Sequence, residues 1–427
     1  MAHGGGTFVT QNKILGGAYI NVVSAARASA TLGDRGVVAR PIALTWGKSG
    51  EVFTVTAAEF IKDSMKYFGY DYNAPAMLPF REVFKNAQKV HVYNLASDGT
   101  KASCKYATAK CPGTRGNDLK IVIQTNIDDE SLFDVKVYMG TAVVFKQTAE
   151  TVAELKENDY VVWQSTALAL EAGIVLTGGT DGTVDTTDYQ AALNAFESYN
   201  FNVLVCPDAS AIDLYTNYTI QMRDTVGVKF QTVTPAVSDK VNYIGVVQLT
   251  EVQAAAIDWV AGALAGCAIN KSCTNKLYDG ELTITCLHTQ SELEQCIKDG
   301  VFVFHRVEDE VRVLDDINTF TEFTEDMNED FASNQTIRVT DQTANDDARE
   351  FNTNFHGKVQ NDADGRIGFW SNIVKRRQEM ARMRAIETYN SDNLKVEKGE
   401  KKGAVVVADA YTIIGTMKQL YMNTVIS

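Results

Sequence analysis

Each end of this chain carries a strand-like run with nothing beside it to pair with. AYINVVS (18–24) lies between a Gly-rich start and the small-residue stretch AARASATLGDRG. AVVVADAY (404–411) and LYMNTVIS (420–427) follow the polar stretch KGEKKG (398–403). A strand flanked by loose chain is not stable alone, and an unpaired apolar edge invites aggregation until a partner covers it. The expectation is that both ends join the sheet of an adjacent copy. The residues that would do so are Ala18, Tyr19, Ile20, Asn21, Val22 and Val23 at one end, and Val405, Val406, Val407 and Ala408 at the other. Such a strand forms roughly five main-chain hydrogen bonds at about 1 kcal/mol net each. That is modest for one copy and large when repeated through an assembly.

The rest of the chain is ordinary globular material. Its 427 residues suggest two to four domains. Hydrophobic residues make up 45% and charged residues 22%, which excludes long disorder, collagen and coiled coil. The formal charge of −14 argues against broad nucleic-acid binding. Cysteines at 104, 111, 206, 267, 273, 286 and 296 include no C-x-x-C, which fits reduced thiols better than a disulfide framework. MAHGGGTFVTQNK lacks the basic-then-apolar order of a secretory signal. The most apolar stretch, 254–269, is short for a bilayer span, carries Asp258 and reads as a buried helix. Synthesis and folding in a cytoplasm are expected.

Along the chain, 37–95 reads strand, helix, helix, strand, with Thr56 and Glu59 forming a capping box. Residues 103–177 hold short strands at close spacing, with a tight turn at Met139-Gly140-Thr141 and one helical stretch, TVAELKEN (151–158). That pattern suggests a small β-sandwich or barrel. Residues 178–325 alternate helix and strand, as an α/β layer structure does. Residues 326–403 read as helical and charge-segregated. The stretch 307–350 holds fourteen Asp/Glu against three Arg, and KRRQEMARMR (375–384) then carries five positive residues against one Glu.

Motifs for chemistry are weak. The glycine run 176–182 sits where a phosphate loop would, but no G-K-[ST] or G-x-G-x-x-G accompanies it, so a tight turn is the better reading. Cys267, Cys273, Cys286, His288 and Cys296 lack the close pairing that zinc sites use. No G-x-S-x-G elbow supports a hydrolase, and His91 and His305 fall in strand patterns. The basic stretch is the most distinctive charge feature. Lys375, Arg376, Arg377, Arg382 and Arg384 read either as a solvated helix face or as a docking face for an acidic protein surface.

Several segments, taken in order, resemble a known family. They are Gly17-Ala-Tyr-Ile-Asn-Val-Val23, Pro112-Gly-Thr-Arg-Gly-Asn-Asp118 followed by LKIVI, and Leu176-Thr-Gly-Gly-Thr-Asp-Gly182. Trp259-Val-Ala-Gly-Ala-Leu-Ala-Gly266 with Asn270-Lys-Ser-Cys-Thr274, and Val313-Leu-Asp-Asp-Ile-Asn-Thr319, complete the set. Together they are similar to the sheath proteins of contractile phage tails, R-type bacteriocins and, more distantly, type VI secretion. The resemblance implies an α+β multidomain fold with a subtilisin-like α/β central domain lacking a catalytic triad. It also implies an inserted small β-sandwich and an α-rich C-terminal domain with exchanged terminal strands. The corresponding division is an N-terminal strand arm (1–25), an N-terminal α/β segment (26–95), the β-sandwich (96–177), the subtilisin-like domain (178–325), a tube-facing domain (326–403) and a C-terminal strand arm (404–427). Implied too are stacked sixfold rings around an inner tail tube, contraction, and baseplate and tail-terminator proteins as partners. Neither cofactor nor catalytic role is implied, and the setting is a virion tail or a phage-tail-like particle.

Overall fold

The computed structural model describes residues 35–96 and 98–426. The N-terminal run Ala18–Val23 lies outside them.

A six-stranded sheet forms the centre. Strand β1 (Val37–Ile42) is followed by β2 (Val52–Thr56), helix α1 (Ala57–Phe68), helix α2 (Leu78–Phe84) and β3 (Lys89–Asn94). Thr56 caps α1 as expected: its side chain accepts from the Glu59 N–H, while the Glu59 carboxylate accepts from the Thr56 N–H at 2.9 Å.

The chain then leaves this sheet. Strand β4 (Ala107–Ala109) will pair with β8 (Val161–Trp163). Strands β5 (Leu119–Thr125), β6 (Phe133–Met139), β7 (Ala142–Ala149) and β9 (Glu171–Val175) form a four-stranded antiparallel sheet in the order β7-β6-β5-β9. Gly140 makes the expected β6–β7 turn with φ of 61°. Alternate residues Leu119, Ile121, Ile123, Val135, Val137 and Met139 point into one core. The stretch 151–158 is not a helix. It holds only a 3-10 turn at Val152–Glu154, because just one of its side chains, Leu155, is buried and so short a helix lacks a face to hold it.

The main sheet resumes with helix α3 (Thr186–Phe196), β10 (Val203–Val205), α4 (Ile212–Ile220), β11 (Gln231–Thr234), β12 (Val246–Gln248) and α5 (Ile257–Gly266). Its order is β12-β11-β10-β1-β3-β2, parallel except for β2, which runs antiparallel to β3. Val38 pairs with Val203. Residues 37–94 and 203–248, assigned to separate divisions by the sequence, therefore build one sheet, and the β-sandwich is inserted between β3 and β10. Val38, Val203 and Val233 face a core covered by α2 and α5, while Val37, Ala39 and Leu204 face α3 and α4. Gly262 and Gly266 let α5 press on α2. A Cβ at either would meet the Val83 or Asn86 carbonyl oxygen at 2.3 or 2.1 Å.

Helix α6 (Gln290–Lys298) and the hairpin of β13 (Phe304–Val307) with β14 (Glu310–Val313) lead out of this unit. The C-terminal domain follows. It comprises α7 (Asn334–Glu350), α8 (Ala363–Arg382), and the antiparallel pair β15 (Lys395–Lys398) and β16 (Val405–Ala408). Asp362 caps α8 by accepting from the Gly365 N–H at 2.8 Å.

Candidate assembly surfaces

The segregated charges of the C-terminal half meet each other in the fold. Acidic α7 lies against basic α8. Arg377, 2% exposed, binds Asp347 at 2.5 Å and Asp409 at 2.7 Å, and Tyr389 donates to the other oxygen of Asp409. Burial lowers the affinity of Arg377 for its proton, but Asp347 and Asp409 more than offset this, so its pKa stands above the usual arginine value. Arg376 pairs with Glu350 at 3.2 Å and donates to the Asp346 carbonyl. Arg376 and Arg377 are therefore internal cross-links between two helices and not free docking cations. Sequence spacing missed this because it does not show that the acidic helix supplies the partners.

Lys375, Arg382 and Arg384 are exposed. Arg382 lies 3.3 Å from Glu379 at the surface. Arg384 falls beyond the end of α8 with φ of 63°, so it does not share a helical face with Arg377.

Two further acidic residues tie α7 to the α/β unit. Arg338 and Asp316, both fully buried, pair at 2.5 Å, and Arg223 grips Asp341 with two bonds of 2.6 and 2.8 Å. Burial pushes the Asp316 carboxyl up. The Arg338 guanidinium and donation from the Cys273 N–H and Asn334 more than offset it, leaving the pKa below the ordinary value.

At the other domain junction, two glycine-rich motifs clasp each other. Asn117 brackets Gly179, accepting from its N–H and donating to its carbonyl, each at 2.8 Å. Asp181 accepts from the Thr114 N–H at 2.7 Å. A Cβ on Gly179 would meet the Gly113 carbonyl oxygen at 2.6 Å. The glycine run is thus a turn locked to the sandwich entry. His91 is held between the Thr54 hydroxyl and the Asn200 carbonyl, and burial lowers its pKa. Among the described residues no group of three His, Cys, Asp or Glu side chains is placed to hold a metal ion. No described helix is long and apolar enough to cross a membrane.

The C-terminal strand does not dangle. Val405, Val406, Val407 and Ala408 pair with Lys398, Glu397, Val396 and Lys395, so KGEKKG is a hairpin turn and not a tether. Four short residues that read as an isolated strand found a partner only ten residues upstream, in a segment whose three charges concealed it. The hairpin is a two-stranded sheet, and within the chain neither outer edge has a strand partner among the described residues.

Beyond β16 the chain crosses back over the domain. Ile413 bridges to Ile386, Thr416 bonds Gln335, and Lys418 pairs with Asp315 at 2.6 Å. From there it is extended and bare. Leu420, Tyr421, Met422, Val425 and Ile426 are 74–92% exposed, and 420–426 has no ladder, contrary to the strand expectation.

Four family models match successive stretches of the chain. They describe the Gp18 tail sheath protein domain III N-terminal region (35–95), the phage tail sheath β-sandwich domain (97–181), the phage tail sheath central domain (182–319) and the phage tail sheath C-terminal domain (326–427). The phage-like element PBSX protein XkdK of Bacillus subtilis (strain 168) is 33% identical over 386 residues, spanning 81% of this chain and 82% of that one. The chain belongs to the phage tail sheath family. Two solved sheath proteins share its fold along nearly their whole length. A sheath tail protein from Desulfitobacterium hafniense is 32% identical with a TM-score of 0.79, covering 95% of this chain and 99% of its own. One from Listeria innocua is 27% identical with the same TM-score, covering 92% and 94%. The contracted helical sheath of the anti-feeding prophage, at 11% identity and a TM-score of 0.57 over 96% of this chain and 98% of its own, shares the fold alone. The sheath family is structural, and its four domains account for the sandwich, the central sheet and the C-terminal helices of this chain.

Proposed function

We propose that this sheath protein is the repeating subunit of a contractile tail, stacked as sixfold rings around an inner tube and shortening to drive that tube through a bacterial envelope. In this reading the central sheet is a subtilisin-like scaffold without a working triad, and the chemistry is replaced by mechanical work. The observation that carries the reading is the pair of complementary ends on one domain: an apolar tail and hairpin edges that have no strand partner among the described residues.

The tail cannot bring its own Leu420–Met422 stretch to the turn end of its hairpin. Its last anchors are Gln335, at the start of α7, and Asp315, next to the Asp316 that binds Asn334, while the turn end of the hairpin lies beside Phe351 and Phe355, past the helix end. Sixteen helical residues separate Gln335 from Phe351, about 24 Å. The eight residues 419–426 reach about 26 Å fully extended. Reaching the level of Phe351 consumes the segment, and Leu420–Met422, at most four residues or about 13 Å past Lys418, falls well short of it. A second copy supplies the missing strand, and Ala18–Val23 is a candidate for the other edge. Exchanged strands would keep neighbours attached while the globular bodies rearrange during contraction. Exposed Lys375, Arg382 and Arg384 are the remaining candidates for the tube contact. Baseplate and terminator proteins would close the two ends of the polymer, which would assemble in the host cytoplasm and work as part of a virion tail or a phage-tail-like particle.

The test is negative-stain microscopy with circular dichroism on the full chain and on chains lacking 1–24 or 417–427. Tubes from the full chain, and folded protein without tubes from both truncations, are expected. Normal tubes from both truncations would refute strand exchange. Only discrete monomers from the full chain, at any concentration, would refute the sheath reading.

A further inference from the structure

A small cavity opens beside β16, between the end of α7 and the start of α8. Phe351, Phe355, Val359, Phe369, Gly403 and Val405 supply its apolar wall, and its volume is about 100 Å³. No described residue fills it, and Val359 at its rim is 43% exposed.

Its position relative to the hairpin is informative. Val396 packs on the cluster of Phe369, Ile373 and Leu394. Val396 lies opposite Val407, and side chains directly opposite in a ladder share a face. Val407 and, two residues back, Val405 thus belong to the face of the hairpin that looks onto α8. Val405 and Gly403 line the cavity, whereas no residue of β15 does. The cavity therefore lies off the free edge of β16, where the inward side chains of an added strand would fall.

The extended tail offers matching side chains. Leu420 and Met422 project on one side of a strand, with Ile426 further along, while Tyr421 and Val425 project on the other. We propose that this cavity is the seat for one side chain of the Leu420–Met422 stripe, contributed by the C-terminal tail of a second copy. The proposal rests on the strand-exchange reading and adds to it an anchor that fixes register. Main-chain hydrogen bonds alone leave a strand free to slip, and a buried side chain of defined parity removes that freedom. An unbranched thioether or a leucine suits the phenylalanine rings of the wall. The own-chain tail is excluded by reach, as worked above.

The experiment measures the critical concentration for polymerisation of full-length protein by sedimentation. The pair Leu420→Ser and Met422→Ser should raise it at least tenfold. Tyr421→Ser, on the opposite side, should change it less than twofold. Gly403→Leu narrows the seat from the wall. A Cβ there meets nothing within 4 Å, so the domain should fold normally by circular dichroism. It should also raise the critical concentration at least tenfold, and adding Met422→Ala should recover part of the loss. If deletion of 417–427 abolishes polymers but the Leu420/Met422 pair and Gly403→Leu leave the critical concentration unchanged, the seat is wrong and strand exchange stands. The same holds if Gly403→Leu acts and the Leu420/Met422 pair does not, because another segment then occupies the cavity. Normal polymers from the deletion overturn both.

Discussion

Arg377→Ala separates an internal cross-link from a docking surface. Arg377 is 2% exposed, and its guanidinium joins Asp347 on α7 to Asp409 just after β16, at 2.5 and 2.7 Å. Removing one partner of a buried ion pair costs about 3–5 kcal/mol, because the other charge stays desolvated. Here the two carboxylates keep 25% and 12% of their side-chain surface in water, and Arg376 stands 3.9 Å from Asp347. Both facts soften the loss, so about 2–3 kcal/mol is expected, at or just below the lower end of that range. Lys375→Ala, at an exposed position two residues away, should stay within about 0.5 kcal/mol. Urea unfolding followed by circular dichroism, below the polymerisation threshold, reads both. The hairpin should loosen with Arg377→Ala, since Asp409 fixes its exit, and amide exchange in 395–408 should rise. An Arg377→Ala chain as stable as wild type, or a Lys375→Ala chain equally damaged, refutes the reasoning.

Three other outcomes follow from the same geometry. Asp316 has a folded-state pKa below 3.8, so its contribution is present above the unfolded value and disappears as pH falls through the folded one. Asp316→Asn should flatten the stability loss below about pH 4 in acid titrations, while costing about 3 kcal/mol at neutral pH. Gly113→Ala should destabilise by about 2 kcal/mol or more in thermal melts, since φ is 117° and a Cβ would lie 1.9 Å from the Thr45 carbonyl oxygen; a variant as stable as wild type counts against the clasp. Lys375→Glu with Arg382→Glu should weaken co-sedimentation with an inner tube at low salt and spare tube-free polymers, because exposed pairs are worth about 0–1 kcal/mol each and are screened; unchanged co-sedimentation removes this helix as the tube contact.

Local signals survived into the fold where one segment sufficed to define them. Thr56 and Glu59 cap α1, Gly140 turns β6 into β7, and Ile257–Gly266 is a buried helix, each determined by neighbours within a few residues. Long-range pairing was invisible. Nothing in Val38 announces Val203, so one sheet looked like two domains. The basic stretch looked like a docking face because its partners, Asp347 and Glu350, lie about thirty residues upstream. The hairpin was hidden by Lys395, Glu397 and Lys398, whose charges lower the strand signal of β15. The resemblance motifs were better indicators of contact than of chemistry. Gly113 meets Gly179, and Cys273 and Thr274 meet Asp316 and Asp315, joining segments that stand 41 to 66 residues apart.

The most direct measurement is a helical cryo-EM reconstruction of the polymer formed by the full chain. The account predicts hollow tubes in which the hairpin 395–408 gains a strand along β16 that traces back to residues 419–426 of a different copy. A reconstruction in which each tail ends on its own body, with the β16 edge bare, would contradict it.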